Sequence, residues 1–241
     1  MSFAVRLNNT AAKLVLHSRR YEEAVEMFTR SLKIVKLQLI KRRVGHDALR
    51  INQKHAPAND YCKKAPPPKV PKVPKVPKGE SNKIQQGYMF SDPIIVDEDD
   101  LNSQNEEDIL RFTMFLIFNL ALSQHLRALE FKTISRSAFR TTLKKSLALY
   151  SLLYKMQMNK GTGSGLSYIH TMALINNLAQ IHAVNEDEEK SRQCLSYLLN
   201  YLIFYTECIG KENCSTVDEM DGFRNNIIPL ILTDPALAPA A

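Results

Sequence analysis

The sequence predicts an all-α fold built from three antiparallel helical hairpins, and three observations carry that expectation. The first is a recurring element, an aliphatic residue followed two positions later by Asn and four positions later by Ala. It occurs at Leu7-Asn8-Asn9-Thr10-Ala11, at Ile117-Phe118-Asn119-Leu120-Ala121 and at Ile175-Asn176-Asn177-Leu178-Ala179. Residues i and i+4 share a helix face, so each copy places a small Ala beside an aliphatic where a second helix can approach closely. The second is the spacing of apolar residues at i, i+3 and i+4 through the long segments, the period of an amphipathic helix. The third is composition: only eight Gly in 241 residues, with 44% hydrophobic residues, which favours helices around an ordinary core.

The elements follow in order. A first helix is expected from about Phe3 to His17, and a polar turn at Ser18-Arg19-Arg20. A second starts near Arg20, where Ala24, Val25, Phe28, Leu32, Val35, Leu39 and Ile40 form its apolar stripe. Glu22, Glu23 and Glu26 near its start and Lys41, Arg42 and Arg43 near its end suit the helix dipole. Gly45 is the expected stop, with an extension through Asp47 to Lys54 as the alternative. A third helix runs from about Glu106 to Phe131, opened by three acids, and Ser137 to Met158 is its antiparallel partner. Gly161-Thr162-Gly163-Ser164-Gly165 reads as a connector. No strand precedes it and Lys160 stands before the glycines, so it lacks the phosphate-loop pattern. Leu166 to Val184 and Glu186 to Thr206 make the last hairpin, turning at Asn185. In the tail, Phe223 to Leu232 is apolar, β-branched and interrupted by Pro229, which suggests a short strand or irregular cap over the open end of the array. A minor β pairing of Ile227 to Leu232 with Tyr88 to Val96 fits that reading. Ala236 to Ala241 is expected to fray.

Four units result: a first hairpin at 1–44, an insertion at 45–105 expected to be mostly disordered, the second and third hairpins at 106–206, and a cap and tail at 207–241. The insertion is strongly polarised. From Lys41 to Lys83 twelve Lys/Arg stand against Asp47, Asp60 and Glu80, a net +9. From Asp92 to Asp108 there are eight acids and no base, a net −8. The overall +7 therefore does not by itself call for an anionic ligand, because the two stretches can screen one another. Lys69-Val70-Pro71 begins a Lys-Val-Pro repeat that runs to Lys78. Every third residue lacks an N–H, so the repeat favours polyproline II over helix or central strand. It reads as a stiff solvated spacer; its overlapping Pro-x-x-Pro spacings also suit a Pro-binding domain, and its Lys edge suits an anionic surface. Tyr88-Met89-Phe90 and Ile94-Ile95-Val96, flanking Asp92-Pro93, read as short extended pieces laid on the helices.

The first hairpin resembles the tetratricopeptide repeat, a helix-turn-helix unit, in the spacing Tyr21, Ala24, Phe28, Ser31, with Ala11 or Ala12 at the small position of its first helix. In the third hairpin Ser191, Leu195 and Leu198 repeat the spacing of Ala24, Phe28 and Ser31. In the middle one Leu143, Leu147 and Tyr150 keep the spacing without the small residues. No copy carries the family's closing Pro or its Trp. The resemblance implies a stack of hairpins with a groove that takes a protein or peptide partner. In members that grip a peptide C-terminus, Lys and Arg form a carboxylate clamp beside such Asn residues; Asn119 fits the Asn role here, but the third hairpin has no matching base.

The candidate partner-binding residues are accordingly Asn9, Asn119 and Asn177, with His125 in the same groove. Asn disfavours helix interiors because its side chain competes for backbone hydrogen bonds, so three at one place in three hairpins suggest a shared task. That task is either bonding between hairpins or a ladder that grips a bound peptide backbone. No enzyme motif is present: no GxSxG, HExxH, GxxxxGK[ST] or GxGxxG. Cys62, Cys194, Cys208 and Cys214 share no CxxC spacing and read as reduced thiols. His170 and His182 with Cys194 fall on different helices, so neither metal nor cofactor is expected. Met1 to Thr10 carries Arg6 and no apolar run, so no secretory leader is expected. The uncharged run Phe112 to Leu126 is short of the roughly 20 residues that cross a bilayer. An intracellular protein, cytoplasmic or nuclear, with a protein partner and no nucleic acid or membrane, is the resulting expectation. Lys41-Arg42-Arg43 with Lys63-Lys64 offers a loose nuclear address.

Overall fold

The computed structural model describes residues 1–51, 87–101, 105–158, 165–208 and 217–233. These form α1 (Ser2–Lys13), a π-helical turn (Leu14–Ser18), α2 (Tyr21–Ile51), α3 (Glu106–Phe131), α4 (Arg136–Met158), α5 (Tyr168–Val184), α6 (Glu188–Cys208) and α7 (Val217–Thr233). Among the described residues there is no strand, so the all-α class holds. The Lys-Val-Pro repeat, Cys62, Cys214, most of the glycine-rich connector and Ala236 to Ala241 lie outside the described residues.

Local chemistry accounts for the helix ends. The π turn closes on Arg19, which adopts the left-handed conformation (φ 51°) and lets the chain reverse into α2. Asn105 caps α3: its side chain accepts a hydrogen bond from the Glu107 N–H at 3.0 Å, and Glu106, Glu107 and Asp108 fill the first turn. Ser167 caps α5 in the same way, accepting from the His170 N–H at 3.3 Å.

α1 packs on α2, α3 on α4 and α5 on α6; α2 also meets α3, α4 meets α5, and α6 meets α7. The small residues of the second helices sit at these contacts. Ala24, Phe28 and Ser31 are fully buried, and the Ser31 hydroxyl donates to the Ala4 carbonyl at 2.8 Å. Ser146 donates to the Ala121 carbonyl at 2.8 Å and Ser191 to that of Ala179 at 3.0 Å. Ser146, Tyr150 and Leu153 are thus the middle-hairpin counterparts of Ser191, Leu195 and Leu198. The register Leu143, Leu147, Tyr150 is three residues early. The sequence misleads there because Leu143 is buried as well, on the same helix face one turn back.

Other expectations need correction. Gly45 does not stop α2, which runs on to Ile51; one helical Gly costs only about 1 kcal/mol relative to Ala. Ile227 to Leu232 is neither a strand nor an irregular cap but part of α7, with Pro229 inside the helix. The β pairing with Tyr88 to Val96 is therefore absent; Tyr88 and Phe90 meet α7 one to two turns earlier, at Gly222, Phe223 and Asn226. Within the insertion, expected to be mostly disordered, Tyr88 to Val96 lies along the helices as the extended pieces read from the sequence, a turn follows at 97–101, and the stretch buries Phe90, Pro93, Ile94, Val96 and Leu101. Finally, α3 as a whole is long and apolar enough to cross a membrane by composition, unlike its uncharged run alone, yet 72% of its most apolar window is buried by the fold. Phe112, Met114, Leu116, Phe118 and Leu122 supply that buried surface.

Candidate peptide-binding groove

α1, α3, α5 and α7 carry a row of Asn side chains, and residues 88–96 of the same chain lie along it. Asn226 of α7 accepts from the Tyr88 N–H at 2.8 Å and donates to the Tyr88 carbonyl at 2.6 Å. Asn177 of α5 accepts from the Phe90 N–H at 3.1 Å and donates to its carbonyl at 3.0 Å. Asn119 of α3 does the same for Ile94, at 2.7 and 2.8 Å. Asn9 of α1 does so for Val96, at 3.0 and 2.7 Å. Each amide, with one acceptor oxygen and two N–H donors, thus satisfies both backbone groups of one residue, as a neighbouring strand would.

Tyr88 to Val96 is eight steps of extended chain, about 26 Å at roughly 3.3 Å each. The contacts at Tyr88, Phe90, Ile94 and Val96 keep the two-residue period of extended chain. Ser91 and Asp92 are the exposed residues of the longer step from Phe90 to Ile94. Pro93, which has no N–H to satisfy, falls in that step.

A second set of Asn residues braces the first. Asn8 donates to the Ile94 carbonyl at 3.1 Å and accepts from Asn119 at 2.9 Å, bridging α1 and α3. Asn176 donates to the Tyr88 carbonyl at 3.0 Å and accepts from Asn226 at 2.6 Å, bridging α5 and α7. Asn177 also donates to the Tyr150 hydroxyl at 3.1 Å, which ties the ladder to α4. The network is closed, as buried amides require. Of the two alternatives open at the sequence level, bonding between helices is present; the extended backbone that the Asn row holds is the chain's own and not a bound peptide.

Side chains supply the rest of the grip. Phe90 stacks on Phe223 of α7 at 6.2 Å and meets the edges of Phe118 and His170, each also at 6.2 Å. Tyr88 packs edge-on against Phe223 at 5.6 Å. Gly222 makes room for it, because a Cβ there would lie 2.5 Å from the Tyr88 ring. Gly87 has the same reason to be Gly, since a Cβ would run into the Asn226 side chain. Beyond Val96 the acids stay in water: Asp97, Glu98, Asp99 and Asp100 are all exposed. Glu98 accepts from the Ser2 hydroxyl at 2.6 Å, and Arg111 donates to the Asp100 carbonyl at 2.9 Å.

Beside the exposed Ser91-Asp92 step lies a cavity of about 480 Å³. Val15, Leu16, Tyr21, Leu126 and Leu129 line it together with Arg19, Ser91, Asp92 and Glu130.

Of the residues singled out by sequence, Asn9, Asn119 and Asn177 are brought into one row. His125 is not part of it. It is buried edge-on against Tyr150 at 6.2 Å, and its Nδ1 has no hydrogen-bond partner among the described residues. Burial pushes its pKa down to about 4. His170 is the His that faces the segment, and burial lowers its pKa to about 4 as well. Asn8, Asn176, Asn226 and His170 escaped sequence reasoning. A signal for three of them exists: the doublet Asn-Asn occurs at 8–9, 176–177 and 225–226, each time within a ladder helix. Among the described residues no cluster of His, Cys, Asp and Glu suits a metal ion. Comparison with known proteins finds no matching protein family, no matching curated protein and no matching solved structure.

Proposed function

We propose that the chain is a non-enzymatic protein-interaction module, a short tetratricopeptide-like stack of helical hairpins whose groove grips an extended peptide by its backbone. The observation that supports this is the ladder itself: four Asn on four helices each pair with both backbone groups of one residue. Backbone pairing of this kind supplies affinity with little regard to sequence, and the alternate side chains select. The pockets around Phe90, Ile94 and Val96 do the selecting here. The partner is a protein or peptide, and no cofactor is involved.

The test is affinity capture with the full chain and with its Asn119→Ala/Asn177→Ala variant, both checked for helicity by circular dichroism. Capture should fall at least several-fold in the variant. Equal capture by two equally helical proteins defeats the groove reading.

A second reading has its own support. The described chain runs up to the insertion through α2 and resumes at Gly87, which lies against Asn226 of α7. The helices would then present that stretch to a Pro-recognition domain or an anionic surface such as nucleic acid. Deleting Pro66 to Lys78 separates the two: the groove reading keeps partner capture, the second loses it.

A further inference from the structure

We infer that the groove is a self-occupied, releasable site. Its partner is an extended peptide that repeats the Tyr-x-Phe…Pro-Ile-x-Val pattern of residues 88–96 but carries a large apolar side chain in place of Ser91. This deepens the groove reading proposed above and rests on it.

The resident segment is held as a ligand is held. Among the described residues, the hydrogen bonds of the Phe90, Ile94 and Val96 backbone run to Asn side chains and not to a helix backbone, and Asn226 holds Tyr88 in the same way. Its inward side chains enter pockets between helices, while Ser91, Asp92 and Ile95 face water. A second peptide in the same conformation would find every donor and acceptor where it needs them. Occupancy in cis is the resting state for a simple reason. Val96 is only nine residues from Asn105, the cap of α3, so the segment is present at a high effective concentration.

A peptide that merely copied the segment would therefore compete poorly. The cavity beside Ser91 and Asp92 gives a partner its advantage. The resident chain offers this cavity only a hydroxymethyl group and a carboxylate, although Val15, Leu16, Tyr21, Leu126 and Leu129 line it beside Arg19 and Glu130. A Leu or Phe at the Ser91 position would cover those apolar side chains, a gain the resident segment does not have. Phe90 on one side and Ile94 on the other keep such a residue in register. The partner is thus defined by chemistry: an extended segment with an aromatic residue, a large apolar residue next to it, and a Pro-aliphatic-x-aliphatic run after one spacer.

Two fluorescent peptides test the idea against the full chain. One has the sequence of residues 87–101; the other differs only by Ser91→Leu. The Leu peptide should bind the wild-type chain at least ten-fold more tightly than the parent peptide. Both should bind still more tightly to a full chain carrying Phe90→Ala, whose own segment is loosened. Asn119→Ala in the chain should weaken both at least several-fold. Equal binding, or no binding, of the two peptides to the wild-type and Phe90→Ala chains overturns the inference. Should Phe90→Ala fail to fold, amide exchange in the wild-type chain decides. The Phe90, Ile94 and Val96 amides should exchange at least ten-fold faster than those of Phe118 and Leu178 in the ladder helices. Exchange of all of them only through global unfolding would make the segment a fixed part of the core and overturn release. Failure of the peptide arms together with Asn-dependent partner capture removes release alone and leaves the groove reading standing. Asn-independent capture removes the groove reading itself.

Discussion

Asn119 shows how much one amide does in this fold. It is fully buried, and it is the partner of the Ile94 N–H, whereas the Ile94 carbonyl also accepts from Asn8. Asn119→Ala strands the buried Ile94 N–H, at a cost of roughly 1–3 kcal/mol, while Asn8→Ala leaves one Asn119 N–H without its acceptor but keeps both Ile94 backbone groups paired, and should cost less. Urea denaturation of the two variants should give that order. Buried imidazoles set the pH dependence. His125 and His170 are held neutral by burial, with pKa values pushed from 6.5 to about 4. Below about pH 6.5 the unfolded chain takes up protons that the folded chain refuses, so stability falls as pH drops from about 6.5 to about 4. Thermal midpoints across that window should fall steadily, and His125→Gln should flatten part of the slope. Gly222 acts by absence: Gly222→Ala would push a methyl group into the Tyr88 ring, and should loosen the start of the segment before it affects the helices. Three of the ladder residues are legible in the sequence because each carries the same aliphatic-x-Asn-x-Ala signature. Asn226 lacks it, having Arg224 before it and Ile228 after it.

The helices were mostly readable as elements because their apolar period is local. The third helix was expected and found at Glu106 to Phe131, since acids at one end and a continuous apolar run define it without reference to neighbours. Packing partners are less local. Ala24 and Ala179 are fully buried, as small residues at helix contacts should be. Ala24→Leu and Ala179→Leu should each destabilise by roughly 1–3 kcal/mol through overpacking, read as a lower denaturation midpoint. α7 was misread because Ile227, Ile228 and Pro229 weigh toward strand or irregular chain. Its burial of Met220, Phe223 and Ile227 outweighs that local preference. The extended segment makes its own prediction. The amides of Phe90, Ile94 and Val96 bond to buried Asn side chains, whereas Ser91 and Ile95 face solvent. Hydrogen exchange resolved by residue should show the first three as slow and Ser91 and Ile95 as fast, an alternation no helix would give.

At the scale of the molecule, the segment ties together helices far apart in sequence. Residues 88–96 touch α7, α5, α3 and α1 in turn, and Arg127 of α3 pairs with Glu22 of α2 at 2.6 Å. Trypsin is expected to cut the Lys-Val bonds within Lys69 to Lys78. The two pieces should then stay together, because α2 packs on α3 and Asn8 and Asn9 hold Ile94 and Val96 across the cut. Co-elution of both pieces on size exclusion under native conditions is the expected result, and separation only in denaturant.

By itself, the sequence determined the helical class, most helix positions, the small residues at the contacts, and the recurrence of Asn in the same short motif on three helices. All of these depend on residues within a turn or two of one another. Only the tertiary structure decided what the Asn residues hold. Asn177 and Phe90 are 87 positions apart, as are Asn9 and Val96, and no local pattern relates a helix to an extended segment that distant. Their meeting follows from the need of every buried amide for a partner, and that need does not exist until the helices have packed.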